Sequence, residues 1–169
     1  PGGVLFPQLM TSGSNKITLW KTDGTSSGTV QLSDLDVIDE QSGVDYGMTQ
    51  QSIYIYNQKQ KTFFKSNYQP GGSSVISQNL AYNQFKNFYN FKNTLWFSSG
   101  IMAFGSDGFE PWRCDGFQTV KTFDIYPGVA GSAPFGYFEI YNDLYFFANN
   151  GGGVKLYKFN GDFTFNNSV

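Results

Sequence analysis

The sequence predicts an all-β fold in which one four-stranded unit is used four times, and three observations indicate this. Aromatic residues make up 19% of the 169 residues and charged residues only 14%, a composition that favours half-buried pleated strands. Twenty glycines, with many Asn, Ser and Gln residues, supply frequent turns. One motif also recurs: LWKTDG at 19–24 is echoed by PWRCDG at 111–116 and, more weakly, by FFKSNY at 63–68 and LYKFNG at 156–161.

An aromatic residue anchors each copy of this motif, and successive anchors lie about 44 to 48 residues apart, the range of known repeat architectures. The four anchors are Trp20, Phe64, Trp112 and Tyr157. A period of this length is typical of one supersecondary unit that is stacked repeatedly. We therefore expect the four rings to occupy equivalent, buried positions on the third strand of successive units.

The last unit shows the predicted strands most clearly, because alternating aromatic segments are separated by turn residues. Its strands are expected at 137–141, 144–148, 154–159 and 163–165, with a tight turn at Asn142-Asp143. Asn160-Gly161 is a two-residue hairpin signal, since both residues tolerate positive φ. Asp23-Gly24 and Asp115-Gly116 hold the same place in their units and are predicted to close the same hairpin. Gly116→Val should therefore destabilise the fold more than Ser132→Val does.

The other units follow the same plan. The unit before the last is expected to have strands at 88–91, 95–98, 110–114 and 119–124, with Lys92-Asn93 between the first two. The unit before that is expected to have strands at 45–49, 53–56, 62–66 and 75–79. The opening unit predicts strands only at 4–9, 16–22 and 29–35 and lacks its first strand. Residues 1–169 are thus expected to form one repeat domain, with units at 1–36, 44–80, 86–125 and 136–166.

Long irregular segments such as 126–134 join each predicted unit to the next, which is the wiring of a β-propeller. A β-sandwich is the competing interpretation, but it does not predict one motif at a near-constant spacing. We expect about four antiparallel blades, the first without its inner strand, and together part of a larger propeller. An incomplete sheet invites pairing, so we expect either a longer protein or completion by another chain.

Several segments resemble the repeat family written ELWxxDGTxxGT. LWKTDGTSSGT at 19–29 is similar to that signature, and GFEPWRCDG at 108–116 is similar to its Glu-Pro-Trp form. DIYPG at 124–128 with GSAP at 131–134, and LYF at 144–146, are similar to further parts of the family pattern. The resemblance implies propeller blades in large secreted or surface-associated proteins. It implies no common catalytic chemistry.

Composition argues against several function classes. The net charge of −2 and the lack of a basic stripe argue against nucleic-acid binding, and no apolar run is long enough to span a membrane. Without histidine and with one cysteine, neither a metal centre nor a catalytic thiol is expected. Cys114 is interpreted as a packing variant of Thr22 and Ser66. No cofactor is expected.

The remaining candidates have structural interpretations beside functional ones. Asp23 and Asp115 lack the ligand spacing of a calcium loop and are interpreted as turn residues. The acids Glu40, Glu110 and Glu139 form no recognisable catalytic pair. Asn166 begins a glycosylation sequon. Tyrosines beyond the obvious needs of a core could stack on sugars or partner proteins; they are Tyr46, Tyr54, Tyr56, Tyr82, Tyr89, Tyr126, Tyr137 and Tyr141.

The leading hypothesis is a non-enzymatic extracellular or cell-surface repeat protein. It would act in adhesion, scaffolding or filament assembly through protein partners or self-association. A glycan-binding propeller is the first alternative, and a non-catalytic part of a larger secreted hydrolase is the second.

Overall fold

A computed structural model describes residues 4–9, 16–36, 45–57, 61–77, 84–100, 108–159 and 165–166. These residues form fifteen β-strands in four antiparallel sheets, and no helix occurs among them. The predicted all-β class is confirmed. Along strands such as the one at Asp143–Asn149, buried residues alternate with half-buried ones, as the two faces of a pleated strand require.

Each sheet is a simple meander in which consecutive strands pair. The first sheet has the strand order β1-β2-β3 and comprises β1 (Val4–Leu9), β2 (Lys16–Thr22) and β3 (Val30–Asp36). The second comprises β4 (Asp45–Met48), β5 (Ile53–Asn57), β6 (Thr62–Ser66) and β7 (Ser73–Ser77). The third comprises β8 (Gln84–Phe91), β9 (Thr94–Gly100), β10 (Glu110–Cys114) and β11 (Thr119–Lys121). The fourth comprises β12 (Phe135–Ile140), β13 (Asp143–Asn149), β14 (Val154–Phe159) and β15 (Phe165–Asn166).

The chain divides into two compact units. One holds Pro1–Tyr46 and Gln50–Asn79, and the other holds Gly47–Thr49 and Leu80–Val169. Each unit has its own apolar core, to which two sheets contribute. In the first unit Leu19 and Leu32 pack with Ile53 and Ile55. In the second unit the core joins the third and fourth sheets and contains Phe91, Trp96, Tyr137, Leu144, Phe146, Ala148, Tyr157 and Phe159.

The four aromatic anchors lie at matching places in their strands. Each is two residues before the last residue of its strand, in β2, β6, β10 and β14 respectively. In the three later sheets the anchor pairs with an apolar residue of the preceding strand: Phe64 with Ile55, Trp112 with Phe97, and Tyr157 with Phe146. Trp112 and Tyr157 are buried, whereas Trp20 and Phe64 are half-buried.

The turns after the anchor strands are longer than the two-residue hairpins predicted for them, because Thr22 and Val30 bound one turn and Cys114 and Thr119 another. Their first residues instead form Asx turns. An Oδ1 atom of Asp23 accepts the N–H of Thr25, and Oδ1 of Asp115 accepts that of Phe117. The prediction of positive φ is correct, with values of 92° at Gly24 and 94° at Gly116. Asn160-Gly161 lies outside the described residues.

Two-residue turns occur elsewhere, between the first and second strands of the third and fourth sheets. Lys92-Asn93 joins β8 to β9, as predicted, with both residues at positive φ. In the fourth sheet the turn is Tyr141-Asn142, since these two residues have positive φ and Ile140 pairs with Asp143. The prediction of Asn142-Asp143 was one residue too late. Both turns have the φ signs of a type I′ turn, whose twist matches that of the strands.

We expect Gly116→Val to lower the free energy of unfolding by about 1–3 kcal/mol, because a β-branched residue is strained at positive φ. Urea unfolding monitored by tryptophan fluorescence measures the change. Gln118→Val is the matched control, since Gln118 is exposed and ends the same turn. Ser132, the comparison suggested by the sequence, is fully buried and hydrogen-bonded, so Ser132→Val is no neutral control. Equal losses for Gly116→Val and Gln118→Val would contradict the prediction.

Candidate functional site

A buried carboxylate holds the segment that connects the third sheet to the fourth. Glu110 begins β10 and is only 1% exposed. Its Oε1 accepts the N–H groups of Ser132 (2.8 Å) and Tyr126 (3.3 Å). Its Oε2 accepts the N–H of Ile125 (2.9 Å) and the hydroxyl of Ser132 (2.7 Å). One side chain therefore satisfies three backbone donors of a segment that lies outside the strand ladders.

The electrostatics of Glu110 follow from two opposing effects. Burial raises the pKa of its carboxyl above the ordinary value, and the hydrogen bonds from Ser132, Ile125 and Tyr126 oppose this rise without cancelling it. All four donor groups of these three residues offer a hydrogen, and a carboxylate is the form that accepts at both oxygens. The site is therefore built to hold a loop, because every oxygen is already engaged.

Backbone contacts complete the hold on this connecting segment. Gly108 and Gly131 approach so closely that a Cβ on Gly108 would lie 2.2 Å from the Gly131 nitrogen. The N–H of Ala133 donates to the carbonyl of Phe109 (2.8 Å), and the N–H of Asn149 in β13 donates to the carbonyl of Ser132 (2.8 Å). The segment is thus bonded to the third sheet on one side and to the fourth on the other.

A small groove lies beside this segment. It has a volume of about 160 Å³ and is lined by Lys86, Asn87, Ser98, Phe109, Ala133 and Pro134. The Lys86 ammonium lies 5.4 Å from the centre of the Phe109 ring, and the Asn87 amide donates to the Pro134 carbonyl (2.8 Å). Asn87 and Ala133 both have positive φ, at 57° and 45°. Such backbone strain clusters at binding sites, so the groove is a candidate site for a small polar ligand.

The turn at 23–29 is a closed hydrogen-bond network. Asp23 Oδ1 accepts both the N–H and the hydroxyl of Thr25, at 2.9 and 2.7 Å. The hydroxyl of Thr25 in turn accepts the N–H of Gly28 (2.9 Å). These bonds lower the pKa of Asp23, with the Thr25 hydroxyl contributing most. A Cβ on Gly28 would overlap the Asp23 carboxylate, which explains the second glycine of the motif.

Cys114 accepts a hydrogen bond from the turn that follows it. Its Sγ accepts the N–H of Gly116 (3.4 Å), just as Oγ1 of Thr22 accepts the N–H of Gly24 (3.0 Å). The thiol is fully buried. Its environment agrees with its interpretation as a variant of the repeat position rather than a nucleophile.

The tyrosines singled out in the sequence fall into three groups. Tyr54, Tyr56 and Tyr137 are buried, and burial raises the pKa of Tyr56 to about 12 and that of Tyr137 still further. Tyr89 and Tyr126 are half-buried. Tyr46 and Tyr141 are exposed, Tyr141 at 96% of its surface. Tyr82 lies outside the described residues. Among the described tyrosines of this set, Tyr46 and Tyr141 are therefore the ones whose rings are most accessible to a partner.

An aromatic surface covers the side of the fourth sheet that faces away from the core. Ring pairs follow the register of β12 and β13: Phe138 stacks on Tyr145 and Phe135 on Phe147, both at 5.6 Å between centroids. Phe135 and Ile140 remain 44% and 43% exposed. We call this surface, made of Phe135, Phe138, Ile140, Tyr145 and Phe147, the forward face of the fourth sheet.

Sequence reasoning missed Glu110, the forward face and the groove. A carboxylate directly before the apolar pair Pro111-Trp112 in the strand EPWRC was the available signal for Glu110. Asp23 and Asp115 lie in turns of separate sheets, and no group of three His, Cys, Asp or Glu side chains in the described part of the chain could hold a metal ion. The described residues also contain no helix with the length and apolarity of a membrane span. Asn166 ends β15, and its side chain is not described.

Comparison with protein-family models finds no match to this chain. Comparison with curated proteins likewise finds no significant match.

We expect Glu110→Gln to lower the free energy of unfolding by about 1–3 kcal/mol, because the amide NH₂ would face backbone donors and leave one of them unpaired. Thermal unfolding followed by circular dichroism measures the loss. Limited proteolysis should also cut the segment at 122–134 sooner in the variant. Glu139→Gln is the control, since Glu139 is exposed in β12. A variant as stable and as protease-resistant as the parent would contradict the role given to Glu110.

We expect the Asp23 carboxyl to titrate below 3.8 in the folded protein, because the two hydrogen bonds from Thr25 favour its ionised form. Any stabilisation from this group is therefore present above that value and is lost as the pH falls through the folded pKa. Carbon-detected NMR titration of Asp23 measures the midpoint. Thr25→Val should move it upward, whereas Ser26→Val, at an exposed neighbour, should not. An unchanged midpoint in Thr25→Val would show that the network does not hold the charge.

Proposed function

We propose that the four sheets are successive blades of a β-propeller and that the chain is a non-enzymatic repeat protein. It would act outside the cell or at its surface in adhesion, scaffolding or matrix assembly, through protein–protein contacts. The likeness of LWKTDGTSSGT to the ELWxxDGTxxGT repeats is part of this proposal. The observation that carries the proposal is that the second and fourth sheets pack on the sheet before them through the same two positions of their second strands.

This equivalence can be followed residue by residue. In the first unit Leu19 of the first sheet packs against Ile53 and Ile55 of the second. In the second unit Trp96 of the third sheet packs with Leu144 and Phe146 of the fourth. Ile55 and Phe146 each pair with the anchor of their own sheet. The preceding sheets contribute different strands, since Leu19 lies in the anchor strand β2 and Trp96 in β9. A meander that packs on the preceding sheet through the same positions of its second strand each time supports blade-on-blade stacking.

Protein contact is favoured by where the exposed apolar side chains lie. The recurring motif residues are engaged in turns and cores, whereas Phe117 is 84% exposed in the turn between β10 and β11. Tyr141 is 96% exposed in the turn between β12 and β13. Exposed aromatic residues are enriched at protein interfaces. They lie on turns, which a stable sheet scaffold can present to a partner.

A second candidate function, glycan binding, is favoured by the groove beside Pro134. Sugar recognition combines a ring face with amide and charged groups. Phe109, Asn87 and Lys86 supply these groups there.

One experiment separates the two candidates. The 169-residue chain is applied in solution to a glycan array. In parallel, the immobilised chain is exposed to extracellular proteins of its source. We expect saturable protein binding that Phe117→Ser or Tyr141→Asn weakens, with no glycan retained. The asparagine keeps the positive φ that position 141 needs.

Glycan retention that Asn87→Gly abolishes would instead establish the second candidate. Asn93→Gly is the matched control for that variant, because Asn93 also has positive φ but lies in a turn away from the groove lining. Glycan retention without protein binding would overturn the leading proposal.

A further inference from the structure

The loop between β13 and β14 contains an asparagine that is followed directly by a glycine. Asn150 and Gly151 lie in the sequence NNGGG at 149–153, and both are exposed. β13 ends at Asn149 and β14 begins at Val154, so the loop is short and held at both ends. Glycine has no Cβ, and the nitrogen of Gly151 is therefore open to close approach by the side chain that precedes it.

A hydrogen bond folds the Asn150 carboxamide back over the chain that follows it. Oδ1 of Asn150 accepts the N–H of Gly152 at 3.0 Å, which is an Asx turn. The ring that this bond closes contains both the carbonyl carbon of the Asn150 side chain and the nitrogen of Gly151. A donor on the carbonyl oxygen also stabilises the negative charge that the oxygen acquires when a nucleophile adds to the carbon. The turn thus prepares this carbonyl for attack by the adjacent nitrogen.

Asn149 restrains the same nitrogen. Its Oδ1 accepts the N–H of Gly151 at 2.8 Å and that of Gly153 at 3.3 Å. The hydrogen of Gly151 must leave if its nitrogen is to attack, and the oxygen of a neutral amide holds that hydrogen without removing it. Asn149 is itself fixed, because its N–H donates to the carbonyl of Ser132 at 2.8 Å. The loop therefore contains a reactive pair and a residue that slows its reaction.

We propose that Asn150 is a self-modification site, which converts spontaneously to aspartate and isoaspartate at a rate that Asn149 restrains. The Gly151 nitrogen loses its hydrogen to a base in the solvent and bonds to the carbonyl carbon of the Asn150 side chain. The side-chain NH₂ takes up a proton and leaves as ammonia. Water then opens the resulting cyclic imide at either of its two carbonyl groups. Water is the one co-reactant, and the inference is independent of the proposed function.

The two products have different effects on the loop. Aspartate keeps the turn, because its carboxylate still accepts the N–H of Gly152, and it adds one negative charge. Isoaspartate places the former Cβ in the main chain and so lengthens the turn. Gly151 packs closely against the connecting segment, since a Cβ on it would lie 3.0 Å from Cε2 of Tyr126. Isoaspartate formation therefore shifts the loop against Tyr126.

The test is peptide mapping by mass spectrometry of the folded 169-residue chain during incubation at mildly alkaline pH. We expect both products to accumulate at Asn150. Asn142 is the internal control, because it is also exposed in a turn but is followed by Asp143, whose Cβ hinders its nitrogen. An Asn150 that stays intact, or converts no faster than Asn142, overturns the inference. Aspartate without isoaspartate also overturns it, since direct hydrolysis of the side chain would give that result.

Variants of Asn149 test the restraint. Asn149→Ala and Asn149→Ser should each raise the rate of conversion about fivefold, the factor that one ordinary hydrogen bond contributes. Lys155→Ala is the matched control, since Lys155 is exposed in β14 beside the loop, and it should leave the rate unchanged. Thermal unfolding shows that each variant is folded, and two substitutions are used so that one misfolded variant does not decide the result. A rate that neither substitution raises would contradict the role given to Asn149.

Discussion

The carboxylate of Glu110 is the interaction on which the arrangement of the second unit depends. The segment from Thr122 to Pro134 has no strand partner along most of its length, so its backbone donors need another acceptor. Glu110 supplies that acceptor from β10. The carbonyl of Ser132 in turn accepts the N–H of Asn149 in β13, which bonds the segment to the fourth sheet. Burying a carboxylate is costly unless its oxygens are hydrogen-bonded. Here the cost is offset because four donors converge on it.

The close packing of the connecting segment against β10 explains the glycines and the proline around it. Gly108 and Gly131 let two backbones touch where a Cβ would overlap the opposite chain. Ser132 can then reach Glu110, and Pro134 leads directly into β12. The segment that resembles DIxPG…GSxP is therefore a structural connector in this chain, and its residues act together with the Glu of the Glu-Pro-Trp segment.

The sequence was informative where the period of the repeat carried the signal. Anchors at regular spacing located β2, β6, β10 and β14, and alternation of apolar residues located their partner strands. The strand edges were less predictable: β8 begins at Gln84, four residues before the expected start. A bulge between Lys86 and Tyr89 interrupts the alternation there, so the period-2 pattern was visible only beyond it.

The residues of the candidate site were harder to predict, for a physical reason. Three of the four donors to Glu110 are backbone N–H groups 15 to 22 residues away, and backbone donors leave no trace in the sequence. Likewise, the forward face of the fourth sheet has the same residue types as the buried face of the third. Only the packing in space distinguishes a covered aromatic face from an exposed one.

The turns after the anchor strands show how this fold tolerates divergence among its copies. An Asx residue follows each of the strands β2, β6 and β10, namely Asp23, Asn67 and Asp115, and each accepts the N–H two residues on. The next residue has positive φ in all three turns, although Tyr68 stands where Gly24 and Gly116 stand. A tyrosine pays a steric cost at such a φ that glycine avoids. The Asx hydrogen bond and the flanking strands therefore impose the turn geometry, and the next residue adopts positive φ whether or not it is glycine. By the same logic a thiol can replace a hydroxyl at Cys114, since what the turn requires there is an acceptor for one N–H.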